Sequence, residues 1–232
     1  MVTAKAKEET KETRSLGDVL ADFIQHNRKG LLITLITMVI VVIIFIAGFA
    51  IRDTMREKAI EAVEDFAQRY DTLVIDINEP AKAEEVQALL DELNAFAGKH
   101  SGYADARAYS LAASIYTEKK DWGEAEKAWT NSAKSAGKSY LAPVSLFNAA
   151  VAAEEQGNLA QAISLYTESI AQESDFPGAA RAQFAIGRLY ESQGDNQAAL
   201  EAYRVIPTKW VNETTWVNLA QSRIIILSNI GS

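Results

Sequence analysis

The sequence predicts an all-α chain: an N-terminal transmembrane helix followed by an α-solenoid of about three helix hairpins plus a capping helix. Three observations carry this. Leu31–Ile51 is an unbroken apolar run without a charge. Segments beginning at Asp121, Asn158 and Asp195 repeat at a fixed spacing of 37 residues. Elsewhere apolar residues recur in steps of three and four, the period of a helix face.

In chain order, residues 1–14 (MVTAKAKEETKETR) are polar, mixed in charge and poor in apolar side chains, the composition of a disordered tail. Leu16, Val19, Leu20, Phe23 and Ile24 stand at helical spacing. They predict a short amphipathic helix that either lies on a membrane surface or is the frayed approach to the apolar run. The run itself is 21 residues long, LLITLITMVIVVIIFIAGFAI. At about 1.5 Å per residue it spans roughly 30 Å, the thickness of a bilayer's hydrocarbon core. Only a helix satisfies its own backbone hydrogen bonds in lipid, so the many β-branched residues are no argument for a strand. A cleaved signal peptide is the competing reading, with Gly48 and Ala50 as the small residues of a cleavage site. Its apolar region would be only about 7–15 residues long and would follow a short basic start, which favours a retained single-pass anchor.

Residues 52–102 read as a linking pair of helices. Ile60, Val63, Ala67, Tyr70, Val74 and Ile77 form a heptad seam. The seam either drives dimerisation or packs on the next helix, where Val86, Leu89, Leu90, Leu93 and Ala97 form a stripe of their own. Asn78-Glu79-Pro80 supplies the turn between them.

From Tyr103 the chain repeats. Small residues recur at Ala113, Ala150 and Gly187, alanines at Ala125, Ala162 and Ala199, and large aromatics at Trp129, Tyr166 and Tyr203. Turn residues fall between, at Lys120-Asp121, Gly157-Asn158 and Gly194-Asp195. This is the grammar of a helix hairpin: small side chains let two antiparallel helices approach, a polar turn reverses the chain, and the aromatic is expected to fill the gap to the next hairpin. Trp216, Leu219, Ala220 and Arg223 begin a capping helix that runs to Asn229. One hairpin cannot bury its apolar face alone, so three with caps approach the smallest stable array.

Ile186-Gly187, Tyr190, Ala199 and Tyr203, with Ala112-Ala113, Tyr116, Ala125 and Trp129 in the first unit, resemble the tetratricopeptide repeat; Ala153 departs from its tyrosine. The period exceeds the family's usual one, which predicts longer loops around Gly137-Lys138-Ser139 and Asp175-Phe176-Pro177. The resemblance implies a concave peptide-binding groove. It would be lined by Arg107, Ser110 and Ser114 from the first unit, Val144, Phe147 and Val151 from the second, and Arg181, Phe184 and Arg188 from the third. An apolar strip flanked by guanidinium groups suits a peptide with apolar and acidic side chains. The capping helix is the competing occupant of part of that strip.

Composition excludes several functions. From Arg52 onward 17 Lys and Arg stand against 26 Asp and Glu, a net charge of −9, which repels nucleic acid. The chain has no cysteine, so disulfides, thiolate metal sites and thiol catalysis are out. His26 and His100 have no partner at metal-ligand or triad-like spacing and read as solvated loop histidines. The pairs Glu84-Glu85 and Glu154-Glu155 point about 100° apart on a helix and read as solvated faces rather than acid/base pairs. No phosphate loop, nucleophile elbow or HExxH occurs, so no enzyme, cofactor or metal is expected.

Basic residues flank the apolar run on both sides, so charge leaves its orientation open. The layout as a whole resembles the YfgM-like proteins of bacterial inner membranes, ancillary subunits of the SecYEG translocon. The likeness is strongest at Tyr103-Ala104-Asp105-Ala106-Arg107 and over Ala220–Asn229. It implies residues 1–30 in the cytoplasm, Leu31–Ile51 in the inner membrane, and the repeats in the periplasm. It further implies partners: the translocon, unfolded secretory chains and a PpiD-like chaperone. Two alternatives stay open: an anchored assembly factor for apocytochromes or envelope machinery, and a homo-oligomeric structural protein joined through the 60–77 seam.

Overall fold

The computed structural model describes residues 15–173 and 175–230; the tail expected over 1–14 lies outside them. Among the described residues the structure is helical, with no strand. Helix α1 runs Leu16–Leu73 without interruption. Ser15 caps it reciprocally: the Asp18 backbone N–H donates to Ser15 Oγ at 3.2 Å and the Ser15 N–H donates to Asp18 Oδ2 at 3.2 Å. Of the two readings of residues 16–24, a separate surface helix or the approach to the apolar run, the continuous helix matches the second: they are the first turns of α1.

The chain divides into two compact units at Met55/Arg56. In the first, α1 is long and apolar enough to cross a membrane, and its apolar residues have no packing partner within the unit. The hydroxyls of Thr34 and Thr37 donate to the carbonyls of Gly30 and Ile33 at 3.0 and 2.9 Å, so the run carries no unsatisfied side-chain donor.

The second unit begins within α1. After 3-10 turns at Val74–Asp76 and Pro80–Lys82, helix α2 spans Ala83–Phe96. Three hairpins follow: α3 (Tyr103–Glu118) with α4 (Trp122–Ala136), α5 (Leu141–Glu155) with α6 (Leu159–Gln172), and α7 (Ala179–Ser192) with α8 (Asn196–Lys209). Helix α9 (Thr214–Ile230) caps the array. The result is a tetratricopeptide-like solenoid.

The 60–77 seam is covered within the chain. Val63, Ala67 and Ile77 are buried, and Ile60 and Tyr70 partly so, in one core with Val86, Leu89, Leu90 and Leu93 of α2 and Ala108, Leu111 and Ile115 of α3. Arg69 fastens the pair, its two terminal nitrogens donating to Glu92 at 2.6 and 2.9 Å. That contact depresses the Glu92 carboxyl below its ordinary value. His100 is exposed, but its ring stacks on Phe96 at 4.2 Å, so it packs rather than standing free.

A second core runs from Ala113 to Leu227 and contains every repeated small residue and aromatic except glycine. The aromatics pack inside their own hairpins, which corrects the expectation that they fill gaps between hairpins. A Cβ on Gly187 would fall 2.6 Å from the Tyr203 ring, and Phe147 meets Tyr166 ring to ring at 5.3 Å. The hairpin turns share one left-handed residue: Lys120 at φ 57°, Gly157 at 78° and Gly194 at 79°. Asp121 and Asp195 then cap α4 and α8, accepting from the N–H of Glu124 and Ala198. The six-residue connection over 173–178 is the longest between hairpins. It buries Phe176 at 6.4 Å from Phe147, so the added length carries a core residue.

Candidate protein-binding face

The first helices of the hairpins, α3, α5 and α7, present the positions that the sequence assigns to a groove. The structure sorts those positions into three groups. Those of α3 are largely closed. Ser110 is 3 % exposed and its hydroxyl donates to the Arg107 carbonyl at 2.8 Å; Ser114 donates to the Ser110 carbonyl at 2.9 Å. Tyr70 of α1 reaches this face, its hydroxyl beside Ser114, Arg107 and Glu118. Burial first, and then the Glu118 charge, push that phenol above its ordinary value. The Arg107 Nε is buried without a hydrogen bond. A groove residue cannot lie under a covering helix, so this unit offers little to a ligand.

Phe147 is a core residue, 9 % exposed and set between Tyr166 and Phe176. Phe184 is half-buried, its ring 5.1 Å from Tyr203 and 5.6 Å from Trp216 of α9. The capping helix thus occupies part of the apolar strip. The expected pair of exposed phenylalanines does not form, because each ring finds aromatic partners that bury more area than a groove wall would.

What remains open is the junction of α5 and α7. Val144 and Val151 are half-buried, and Arg181 and Arg188 are exposed. The Arg181 guanidinium lies 5.1 Å over the Phe147 ring and has no carboxylate partner among the described residues. The ring face holds the cation without neutralising it, a contact worth about 0.5–1 kcal/mol at an exposed site. Arg188 is engaged: its Nη2 donates to both Glu154 oxygens at 2.6 and 2.7 Å.

Glu154 belongs to an arrangement that the groove assignment overlooked. Thr117, Glu154 and Glu191 share the 37-residue register. Each accepts from the aromatic of its own hairpin: Trp129 Nε1 to Thr117 at 3.2 Å, Tyr166 to Glu154 at 3.4 Å, and Tyr203 to Glu191 at 3.1 Å. The two carboxylates also bind the next unit, Glu154 through Arg188 and Glu191 through Arg223, whose Nε donates at 3.1 Å. Glu154 is thus a clamp between repeats rather than part of a solvated face. Its charge and, above all, burial hold the Tyr166 phenol well above the ordinary range. The same register that exposed the alanines carries these acceptors.

Chemically, the α5–α7 junction offers one free guanidinium, one neutralised guanidinium and two valines on a rigid scaffold. It suits a carboxylate beside an apolar side chain. A separate cleft of about 370 Å³ opens on α6, α7 and α8, with Ile170, Gln183, Tyr190, Ala202 and Val205 among its walls.

The family model of the tetratricopeptide repeat matches residues 147–210, a span that includes Phe147, Val151, Arg181 and Arg188 but not Val144. The chain is 37 % identical over 143 residues to a TPR repeat-containing protein of Treponema pallidum (strain Nichols), covering 61 % of this chain and 59 % of that protein. It therefore spans about three-fifths of that relative's length. Nearly identical TPR-like repeats from a Podosopora anserina protein described as a kinesin light chain superpose with a TM-score of 0.52 at 13 % identity. They cover 72 % of this chain and 87 % of that one. A point variant of the same repeats gives 0.53 at 12 % identity, covering 72 % and 86 %. At such identities the likeness is one of fold.

Proposed function

We propose that this chain is a membrane-anchored protein-binding module. Leu31–Ile51 holds it in a bilayer, and the inner face at the α5–α7 junction receives segments of other polypeptides through weak contacts. The observation that carries this reading is the exposed Arg181 guanidinium, fixed on the Phe147 ring without a carboxylate partner among the described residues, with Val144 and Val151 three residues before and four residues after that phenylalanine on α5. The ligand is a segment with an acidic side chain next to an apolar one. The tetratricopeptide matches add support, because stacked hairpins offer extended surfaces to other proteins.

The resemblance to YfgM-like proteins extends the proposal. The repeats lie in the periplasm beside the SecYEG translocon and pass emerging secretory chains to a PpiD-like chaperone. Affinity purification of the full chain from membranes in mild detergent tests this. Translocon subunits should co-purify. Recovery of haem-attachment components without any translocon would instead establish the assembly-factor reading. Protease added to sealed inverted vesicles should leave residues 56–230 intact; digestion there would reverse the topology.

A further inference from the structure

Helix α1 carries one side-chain pattern from water into the bilayer. Leu16, Leu20, Phe23 and Asn27 follow one another in steps of four, three and four. The same steps continue without a break through Gly30, Thr34, Thr37, Val41, Ile44 and Gly48. A repeat of this period keeps one face turned toward one neighbour, the geometry of two helices wound together. The charges respect that face. Asp18, Asp22, Arg28 and Lys29 are all the Asp, Glu, Lys and Arg between Leu16 and Gly30, and each stands at an outward position of the repeat. Val19 and Ile24 take flanking positions and widen the apolar face.

Lipid does not cover the outer end of this face. Leu20 and Phe23 are 59 % and 55 % exposed, and they lie about 12–17 Å along the axis before Leu31, where the apolar run begins. A helix that lies down on a bilayer needs a break before it turns to cross it. Helix α1 has no proline and runs uninterrupted from Leu16 to Leu73. These side chains therefore stand in water unless another helix runs alongside.

Asn27 identifies that helix. It is the one amide on the repeat, at the edge of the apolar run. Its Nδ2 donates to the Phe23 carbonyl at 3.0 Å, and its amide oxygen meets no donor among the described residues. A single asparagine in such a seam costs stability and fixes register, because it is best placed against another asparagine at the same height. A second copy anchored by Leu31–Ile51 is held parallel and at the same depth, so the two Asn27 residues meet. The next levels match themselves too: Gly30, Thr34 and Thr37 are small enough for two backbones to approach, and both threonine hydroxyls already donate within the helix. A partner at another height would set Asn27 against apolar side chains.

We infer that α1 pairs in parallel with α1 of a second copy of this chain along the face from Leu16 to Gly48, Asn27 against Asn27. This rests on the membrane anchor proposed above. It involves neither the α5–α7 junction nor the 60–77 seam, which the chain covers for itself.

The chain has no cysteine, so single introduced cysteines report the contact. Full chains bearing two different affinity tags are co-expressed, and their membranes are oxidised with copper phenanthroline. Phe23→Cys, on the repeat, should give a covalent dimer containing both tags. Gln25→Cys, within a turn of it but on the opposite side of the helix, should give about a tenth as much or less. Leu16→Cys should also give the dimer, and adding Leu20→Glu and Phe23→Glu should lower its yield about tenfold or more, because like charges then face each other. Both replaced side chains are exposed, so helicity in detergent should not change. Equal yields from Phe23→Cys and Gln25→Cys, a Phe23→Cys product joined only to other proteins, or no dimer at all would overturn the inference. Alkaline extraction separates this result from the anchor. A chain that stays in the membrane pellet without the face-specific dimer refutes the pairing alone, whereas a chain released to the supernatant refutes the anchor and the pairing together.

Discussion

Replacing Gly187 by alanine should weaken the fold, although alanine is the better helix former. An exposed helical glycine exchanged for alanine gains about 1 kcal/mol. At position 187 the new methyl would fall 2.6, 2.7 and 2.9 Å from Cε1, Cδ1 and Cζ of Tyr203. Carbon contacts settle at about 3.5–4.0 Å, so the ring must retreat by roughly 1 Å. It has little room: Tyr203 is buried, its hydroxyl is held by Glu191 at 3.1 Å, and Phe184 packs on it at 5.1 Å. Overpacking of this kind costs about 1–3 kcal/mol. Ala113 and Ala150 in the same register indicate that a hairpin can hold a methyl opposite its aromatic, which places the cost in the lower half of that range. The net loss is then up to about 1 kcal/mol, or a midpoint lower by at most roughly 2–4 °C. Far-UV circular dichroism of the full chain in detergent, followed through urea or heat, measures it. In a Tyr203→Leu background the penalty should vanish, a coupling of about 0.5–3 kcal/mol. If Gly187→Ala stabilises by about 1 kcal/mol with Tyr203 in place, the close approach of α7 and α8 is wrong.

Other expectations follow from the same contacts. Lys120→Gly should raise stability by about 1 kcal/mol in chemical denaturation, since Lys120 holds the left-handed conformation that the other two hairpins give to glycine. Asp105→Ala should cost about 2–3 kcal/mol, because the buried carboxylate accepts from the Gly98 N–H and the Ser135 hydroxyl, both at 2.5 Å. Asp105→Asn, which keeps one acceptor, should cost less in the same assay. The phenols of Tyr166 and Tyr203 are raised above 10.0 in the folded chain, chiefly by burial. Their neutral forms favour folding fully below pH 10 and progressively less as pH climbs beyond it. An alkaline titration should therefore show loss of helicity above pH 10, with a smaller slope in Tyr166→Phe.

Much of the architecture was legible. The 37-residue period located the hairpins because helix length, turn and small-residue contacts recur together; Gly187 and Ala199 behave as the spacing implied, whereas Tyr203 packs within its own hairpin. The site was less legible. Periodicity says which residues share a helix face but not which neighbour covers that face. Phe147 therefore read as groove when Phe176, in a non-periodic loop, buries it. Ser114 read as open when Tyr70, outside the repeats, reaches it, and Ser110 read as open when it is buried. Glu154 read as surface charge because its arginine partner, like that of Glu191, lies off the 37-residue register, at 34 and 32 residues on respectively. Residues 16–24 left a separate helix and an approach to the apolar run both open because composition changes at Arg28, whereas backbone hydrogen bonding does not.

The claim on which the account rests is that the inner face at α5 and α7 binds other polypeptides. A photocrosslinking residue placed at Val151 or Arg181 of the full chain in intact membranes tests it directly, with Ser164 on the exposed side of α6 as the reference. Adducts to other proteins are expected from Val151 and Arg181, those from Val151 diminished by Arg181→Glu, and none from Ser164. Equal adducts from all three positions, or none from the inner face, would contradict it.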